Sequence, residues 1–303
     1  VASEFRGNPI KNLSNLLYGK FVRKRRDDGA ARTNRLIADR VEDWLTGPEP
    51  LFLFVNYLEP HLEYRPPRTY ATAWLPDDIS YDEAIAVNQD AWAFITGTVE
   101  MSDRDFRALR ALYRAELAYL DDQLADLLST FAEADAREDT VFVVTGDHGE
   151  HIGEYGLMDH QYSLSRELLS VPLVVDGPGF AGRGDVAAPV QLADVPATLL
   201  DLAGAGGYDR ATDGDPGESP GPLDTALAPR SLVDPSALPD RRPLYAEYLA
   251  PQPPLESLRE RYDPQRDLSQ YDRRLRAVRL GSAKLVAASD GTDSVIDRGI
   301  GDD

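Results

Sequence analysis

The apolar run VFVV at 141–144, followed at once by Thr145, Gly146, Asp147, His148 and Gly149, most constrains the fold of this chain. A run this short and β-branched fits a strand over 140–145 buried on both faces. Two further segments repeat the pattern. Leu36, Ile37, Val41 and Leu45 lie at helical spacing within 32–46, Gly47-Pro48 ends that helix, and an apolar strand is expected over 51–57. A long helix is expected over Asp103–Phe131 ahead of strand 140–145, and a short one over Ser163–Ser170 ahead of strand Val171–Val175. Helix and strand in alternation imply crossover connections, hence an α/β fold with a mostly parallel sheet flanked by helices.

In open parallel sheets, ligands bind beyond the carboxyl ends of strands. His61 follows strand 51–57, and Asp147-His148 follows strand 140–145. A carboxylate and an imidazole can converge on one divalent cation if the turn is tight, and Gly146 and Gly149 permit such a turn. Of four histidines, His148, His151 and His160 crowd into one short stretch. The bland alternative is a polar turn in which Asp147 caps the next segment. His151 reads as a solvated loop residue, and Glu116, Asp121 and Asp122 as a solvated helix face.

Acidic residues outnumber basic ones 52 to 32, and the basic set contains only Lys11, Lys20, Lys24 and Lys284 beside its arginines. A net charge of −20 argues against nucleic acid or an anionic membrane as partner. Molar salt screens such self-repulsion, the Debye length falling to roughly 3 Å at 1 M, so an extreme halophile is the expected source. No apolar run reaches the roughly 20 residues that span a bilayer. A cytoplasmic location is favoured, and the absence of cysteine excludes disulfides.

Four ordered blocks carry a resemblance to the sulfatase family within the alkaline-phosphatase-like superfamily. The stretch TGDHGEHIGEYGLMDHQYSLSRELLSVPLVV looks like its second signature region. FLFVNYLEPHLEYRPP (52–67), YRAELAYLDDQLADLL (113–128) and VQLADVPATLLDLAG (190–204) are similar to its flanking blocks, whereas RPLYAEY (242–248) and RAVRLGSAKLV (276–286) match weakly. The resemblance implies a partial catalytic domain over 1–205. The Asp/Gly/Pro-rich 206–240 reads as a loop or linker. A small antiparallel C-terminal subdomain is expected over 241–303, with a hairpin of 275–280 and 284–288 around Gly281-Ser282.

The family keeps its nucleophile in a Cys/Ser-x-Pro-x-Arg motif after an Asp-Asp metal pair, and this chain has neither cysteine nor Ser-x-Pro-x-Arg. An N-terminal portion is therefore expected to be missing, and the chain alone to be inactive. By resemblance, Asp147 and His148 hold the cation. His61 and His160 contact the sulfate or leaving group, with Gln161 the alternative to His160. Sulfatases commonly have Asn where this chain has His148, and His is usual in phosphate- and phosphonate-cleaving relatives. Calcium, manganese and zinc thus stay open as the ion. The resemblance implies hydrolysis of a small sulfated or phosphorylated substrate. The alternatives are a phosphomonoester or phosphonate hydrolase and a non-catalytic truncated remnant. Oligomeric state is not legible.

Overall fold

The computed structural model describes residues 29–180, 184–205, 227–234, 236 and 238–297. Most of the expected 206–240 linker, together with Lys11, Lys20 and Lys24, lies outside the described residues. The chain divides into two compact units, Val1–Thr140 with Ile152–Asp159, and Val141–His151 with His160–Asp303.

The first unit is built on helices. α1 (Ala30–Ala38) and α2 (Val41–Leu45) replace the single helix expected over 32–46. α3 (Arg68–Trp74), α4 (Tyr81–Ala86) and α5 (Ala91–Ile95) lead to the long α6 (Asp103–Glu133). Ser102 starts α6 with a capping box: its hydroxyl accepts from the Asp105 amide at 3.3 Å, and the Asp105 carboxylate accepts from the Ser102 amide at 2.7 Å. Phe106, Leu109, Leu112, Tyr119, Leu127 and Phe131 form its buried stripe. Edge-on aromatic pairs fasten neighbours to it, Tyr70 on Tyr119 at 5.3 Å and Phe94 on Phe106 at 5.2 Å.

Two expectations fail in this unit. Glu116 does not decorate a solvated face: it is 2% exposed, and its carboxylate accepts the backbone amide of Arg65. The surrounding apolar stripe carries it inward, and a backbone donor compensates its burial. Segment 51–57, expected as a buried strand, forms no regular strand. Phe52 and Phe54 are 73% and 80% exposed. Apolar content favours a strand only where a neighbour completes the ladder and a second layer covers its face, and the described residues of the unit pair no strand with this segment.

A short turn with β3 (Met158–Asp159) closes this unit. Arg110 donates to the Ile152 carbonyl at 2.8 Å and pairs with Glu154 at 3.1 Å. Burial alone would raise the Glu154 pKa, but the Ile152 amide and the Arg110 guanidinium hold it below the ordinary value.

The second unit holds β1 (Phe142–Thr145), α7 (Arg166–Leu169), β4 (Leu173–Asp176), α8 (Asp194–Leu202), β5 (Leu244–Tyr248), α9 (Leu255–Arg261), β6 (Leu275–Leu280), β7 (Ala283–Ala288) and β8 (Ser294–Asp297). The two-residue β2 (His151–Ile152) lies at the boundary between the units. β1 pairs antiparallel with β4, Phe142 opposite Asp176 and Thr145 opposite Leu173, which corrects the expected parallel crossover. A parallel return needs a connection that carries the chain back along the sheet, usually a full helix. Here the helical piece before β4 is the single turn α7, and the chain reverses instead.

β5 to β8 form a four-stranded antiparallel sheet in sequence order. The β6–β7 hairpin turns at Gly281, whose φ of 63° suits a glycine. Leu275 and Ala277 of this sheet pack with Leu164, beside Tyr248 and Val286. Arg242, 1% exposed, clamps the fully buried Asp194 with paired bonds of 2.7 and 2.8 Å. Asp194 also accepts the amides of Gln191 at 2.9 Å and Arg230 at 2.8 Å. The start of α8 is thereby tied to segment 227–242 through a charge pair whose remaining lone pairs are satisfied.

Candidate metal and phosphate- or sulfate-binding loop

β1 delivers the chain into the loop 146–150, which passes close to α7. The Gly149 amide donates to Leu168 at 2.8 Å, and a Cβ at Gly149 would stand 1.8 Å from the Glu167 carbonyl oxygen. Glycine is required here for close backbone approach, whereas at Gly146 the nearest atom to a Cβ would be at 3.4 Å. The loop is thus seated by one glycine contact.

Asp147 stands at the loop's outer edge with its side chain 89% exposed, and its Oδ1 accepts the His148 amide at 3.0 Å. His148 Nδ1 lies 2.9 Å from the Gly149 carbonyl. A carbonyl can only accept, so Nδ1 carries the hydrogen and Nε2 is the acceptor nitrogen of the neutral ring. Such a bond to the second nitrogen is the usual way a metal-binding imidazole is oriented. Asp147 Oδ1 lies 3.8 Å from that Nε2.

His160 meets this loop within the same unit. Its ring stacks on His148 with centroids 4.1 Å apart and planes 26° from parallel. The neighbouring backbone is held in unusual geometry: Asp159 has φ of 73° and Tyr162 of 62°. For a bulky residue such as Tyr162 that conformation persists only where surroundings fix it. Here the Tyr162 hydroxyl donates to the Pro253 carbonyl at 2.8 Å and the ring packs against Tyr271 at 5.2 Å. Glu150, which the sequence did not single out, has a side chain only 4% exposed and an oxygen 3.6 Å from His160 Nδ1. His148, Glu150 and His160 offer ligand atoms that all lie within 4.8 Å of one another.

His151 is not a solvated loop residue. It is fully buried, and its Nε2 lies 2.8 Å from the Ser165 hydroxyl. His61 belongs to the first unit, where its amide donates to Leu58 at 3.0 Å and its Nδ1 lies 2.6 Å from the Leu62 carbonyl. By the argument used for His148, Nδ1 carries hydrogen and Nε2 is its other polar face. Glu247 accepts from Tyr245 at 2.7 Å on the β5–β8 sheet. Glu150 had one available signal: an acidic side chain two positions beyond His148, on the loop where metal ligands were sought.

The family model described as Sulfatase matches residues 11–205, a stretch that contains His61, Asp147, His148 and His160. The chain belongs to the sulfatase family. Curated relatives include arylsulfatase K of Gallus gallus, 35% identical over 106 residues, which cover 35% of this chain and 20% of that protein. Choline-sulfatase of Rhizobium meliloti is 33% identical over 105 residues, again 35% of this chain and 20% of the relative. Among solved structures, the phosphonate monoester hydrolase of Agrobacterium radiobacter superposes with a TM-score of 0.61 at 22% identity, covering 87% of this chain and 54% of that one. The phosphonate monoester hydrolase of Silicibacter pomeroyi gives 0.59 at 20% identity, covering 89% of this chain and 53% of that one. These likenesses show the alkaline-phosphatase-like fold, and the chain spans about half the length of the solved relatives. Among the described residues no helix is long and apolar enough to cross a membrane.

Proposed function

We propose that this chain carries the metal loop of a sulfatase-like hydrolase that cleaves small sulfate monoesters with a divalent cation at Asp147 and His148. The observation that carries the reading is the family match over residues 11–205, which takes in both histidine-bearing loops. The donor chemistry fits an ion: a carboxylate oxygen and an imidazole with its acceptor nitrogen fixed by Gly149. A bound cation would polarise the ester oxygens and offset charge building on the transferring group. His160, stacked on His148, would hydrogen-bond the leaving oxygen, and the family resemblance is what assigns His61 a contact to the transferred group. The nucleophile is not assigned to this chain, which contains no cysteine and no Ser-x-Pro-x-Arg.

A second reading, hydrolysis of phosphate or phosphonate esters, is favoured by the imidazole at His148, since borderline ligands suit the transition metals used on phosphoryl groups. The deciding experiment joins the chain to an N-terminal segment supplying an Asp-Asp pair and a modified Cys-x-Pro-x-Arg. The value of kcat/KM is then compared for 4-nitrophenyl sulfate, 4-nitrophenyl phosphate and a phenylphosphonate ester. The sulfate should lead. A phosphonate or phosphate lead establishes the second reading, and absence of turnover on all three supports a non-catalytic remnant.

A further inference from the structure

Between Glu49 and Glu59 the chain carries no charged residue, and six of the eight residues from 51 to 58 are leucine, phenylalanine or valine. Exposure alternates along this segment of the first unit. Phe52, Phe54 and Asn56 are exposed, whereas Leu53, Val55 and Tyr57 are half-buried. A period of two is the signature of a β conformation with one face resting on the unit and the other turned to water. The inner face is fastened. The Tyr57 hydroxyl donates to the Asn34 side chain of α1, whose amide nitrogen donates to the Gln123 carbonyl of α6 at 2.6 Å. Just beyond the segment, the Glu59 carboxylate accepts the Ala30 amide at 3.0 Å. The outer face has no such cover, with Phe52 and Phe54 at 73% and 80% exposure. Among the described residues, no backbone group of 51–57 hydrogen-bonds another backbone group. An apolar segment held from one side, with backbone donors, acceptors and alternate aromatic rings left to solvent, is a template for pairing with another strand.

The residue pattern selects the partner. A two-fold interface requires a surface that matches itself. If two copies pair antiparallel about Leu53, Phe52 of each faces Phe54 of the other and Leu51 faces Val55, so every cross-strand pair from 51 to 55 is apolar and two are aromatic. Charge favours the same partner. A chain of net charge −20 repels its own copy wherever carboxylates face each other, and an uncharged segment is where two copies meet at least electrostatic cost. A basic partner would be drawn to the carboxylates instead.

We propose that two copies of this chain associate by antiparallel pairing of segment 51–58, an interface that depends on neither the metal loop nor the hydrolase reading. A strand of this length spans about 27 Å. Its pairing falls short of the roughly 800 Å² per partner of a standard stable interface, so the dimer is concentration-dependent. It strengthens as molar salt screens the repulsion between copies.

Sedimentation equilibrium of chain 1–303 over a concentration series, in dilute buffer and in multimolar KCl, tests the pairing. The expected result is a monomer–dimer equilibrium whose dimer fraction rises with concentration and with salt. Phe54→Lys should raise the dissociation constant at least roughly tenfold, because it removes both aromatic pairs and sets an ammonium group from each copy at the pairing. Phe52→Ser, which adds no charge, should weaken association in the same direction. Both positions are exposed in the single chain, so the monomer fold should be kept, as circular dichroism checks. Val295→Lys alters an apolar residue of β8 that is 72% exposed in the other unit, and it should leave the constant unchanged. A parent that is monomeric throughout overturns the proposal. So does a Phe54→Lys variant that associates as the parent does, or a loss confined to Val295→Lys. If the parent stays monomeric yet binds a synthetic peptide of alternating valine and threonine, segment 51–58 receives a foreign strand and the second copy is refuted.

Discussion

His151 is enclosed because β1 and α7 bring the loop backbone together, Gly149 against Glu167 and Leu168, which sets His151, two residues on, within 2.8 Å of the Ser165 hydroxyl. Replacing it by Ala removes a buried ring and strands a hydroxyl, which should cost about 1–3 kcal/mol in urea unfolding. A variant as stable as the parent would show that the imidazole is dispensable. The loop carrying Asp147 and His148 was legible in the sequence because a polar, glycine-punctuated turn follows directly on an apolar strand, whereas His160 was singled out by resemblance alone. His151 and Glu116 were misread for one reason. Residue type gives an average exposure, but burial was decided by neighbours distant in sequence, Ser165 for one and the Arg65 amide for the other. Glu150 was overlooked because its burial, like that of Glu116, is not announced by residue type.

Among the elements, α6 and the β6–β7 hairpin were readable because helical periodicity marked the one and a glycine turn between two apolar runs marked the other. Segment 51–57 and the direction of β4 were not, since strand identity and polarity depend on partners that a single segment cannot announce. The start of α8 shows how strongly such partners act. Asp194→Ala leaves the buried Arg242 guanidinium without its carboxylate, and loss of about 3–5 kcal/mol is expected from the denaturation midpoint. An Asp194→Leu/Arg242→Met double variant should recover much of that loss, because the cost lies in the uncompensated charge. If the single variant unfolds at the parental midpoint, the clamp does not hold α8 as described.

For the whole molecule, a charge of −20 opposes compaction in dilute buffer. The melting temperature should rise steeply from dilute buffer to multimolar KCl as the Debye length shortens to roughly 3 Å by 1 M and less beyond. A flat or falling trend would show that surface repulsion is not the limiting term. The charge sign was legible from composition, and its effect on folding is what the salt series measures. Division of the chain into two units with 152–159 assigned to the first was not, because it depends on long-range pairing such as Arg110 with Glu154.

The most direct test of the central claim is kcat/KM for 4-nitrophenyl sulfate in the chain joined to an N-terminal segment that supplies the nucleophile, measured for the parent and for Asp147→Ala and His148→Ala. If the loop after β1 holds the cation that offsets charge on the transferring sulfuryl group, both substitutions should lower kcat/KM by at least roughly 100-fold, the scale on which single groups stabilising transition-state charge act. Removal of metal by a chelator should reproduce that loss in the parent and change the variants little. Parental activity in both variants, or activity indifferent to the chelator, would contradict the account.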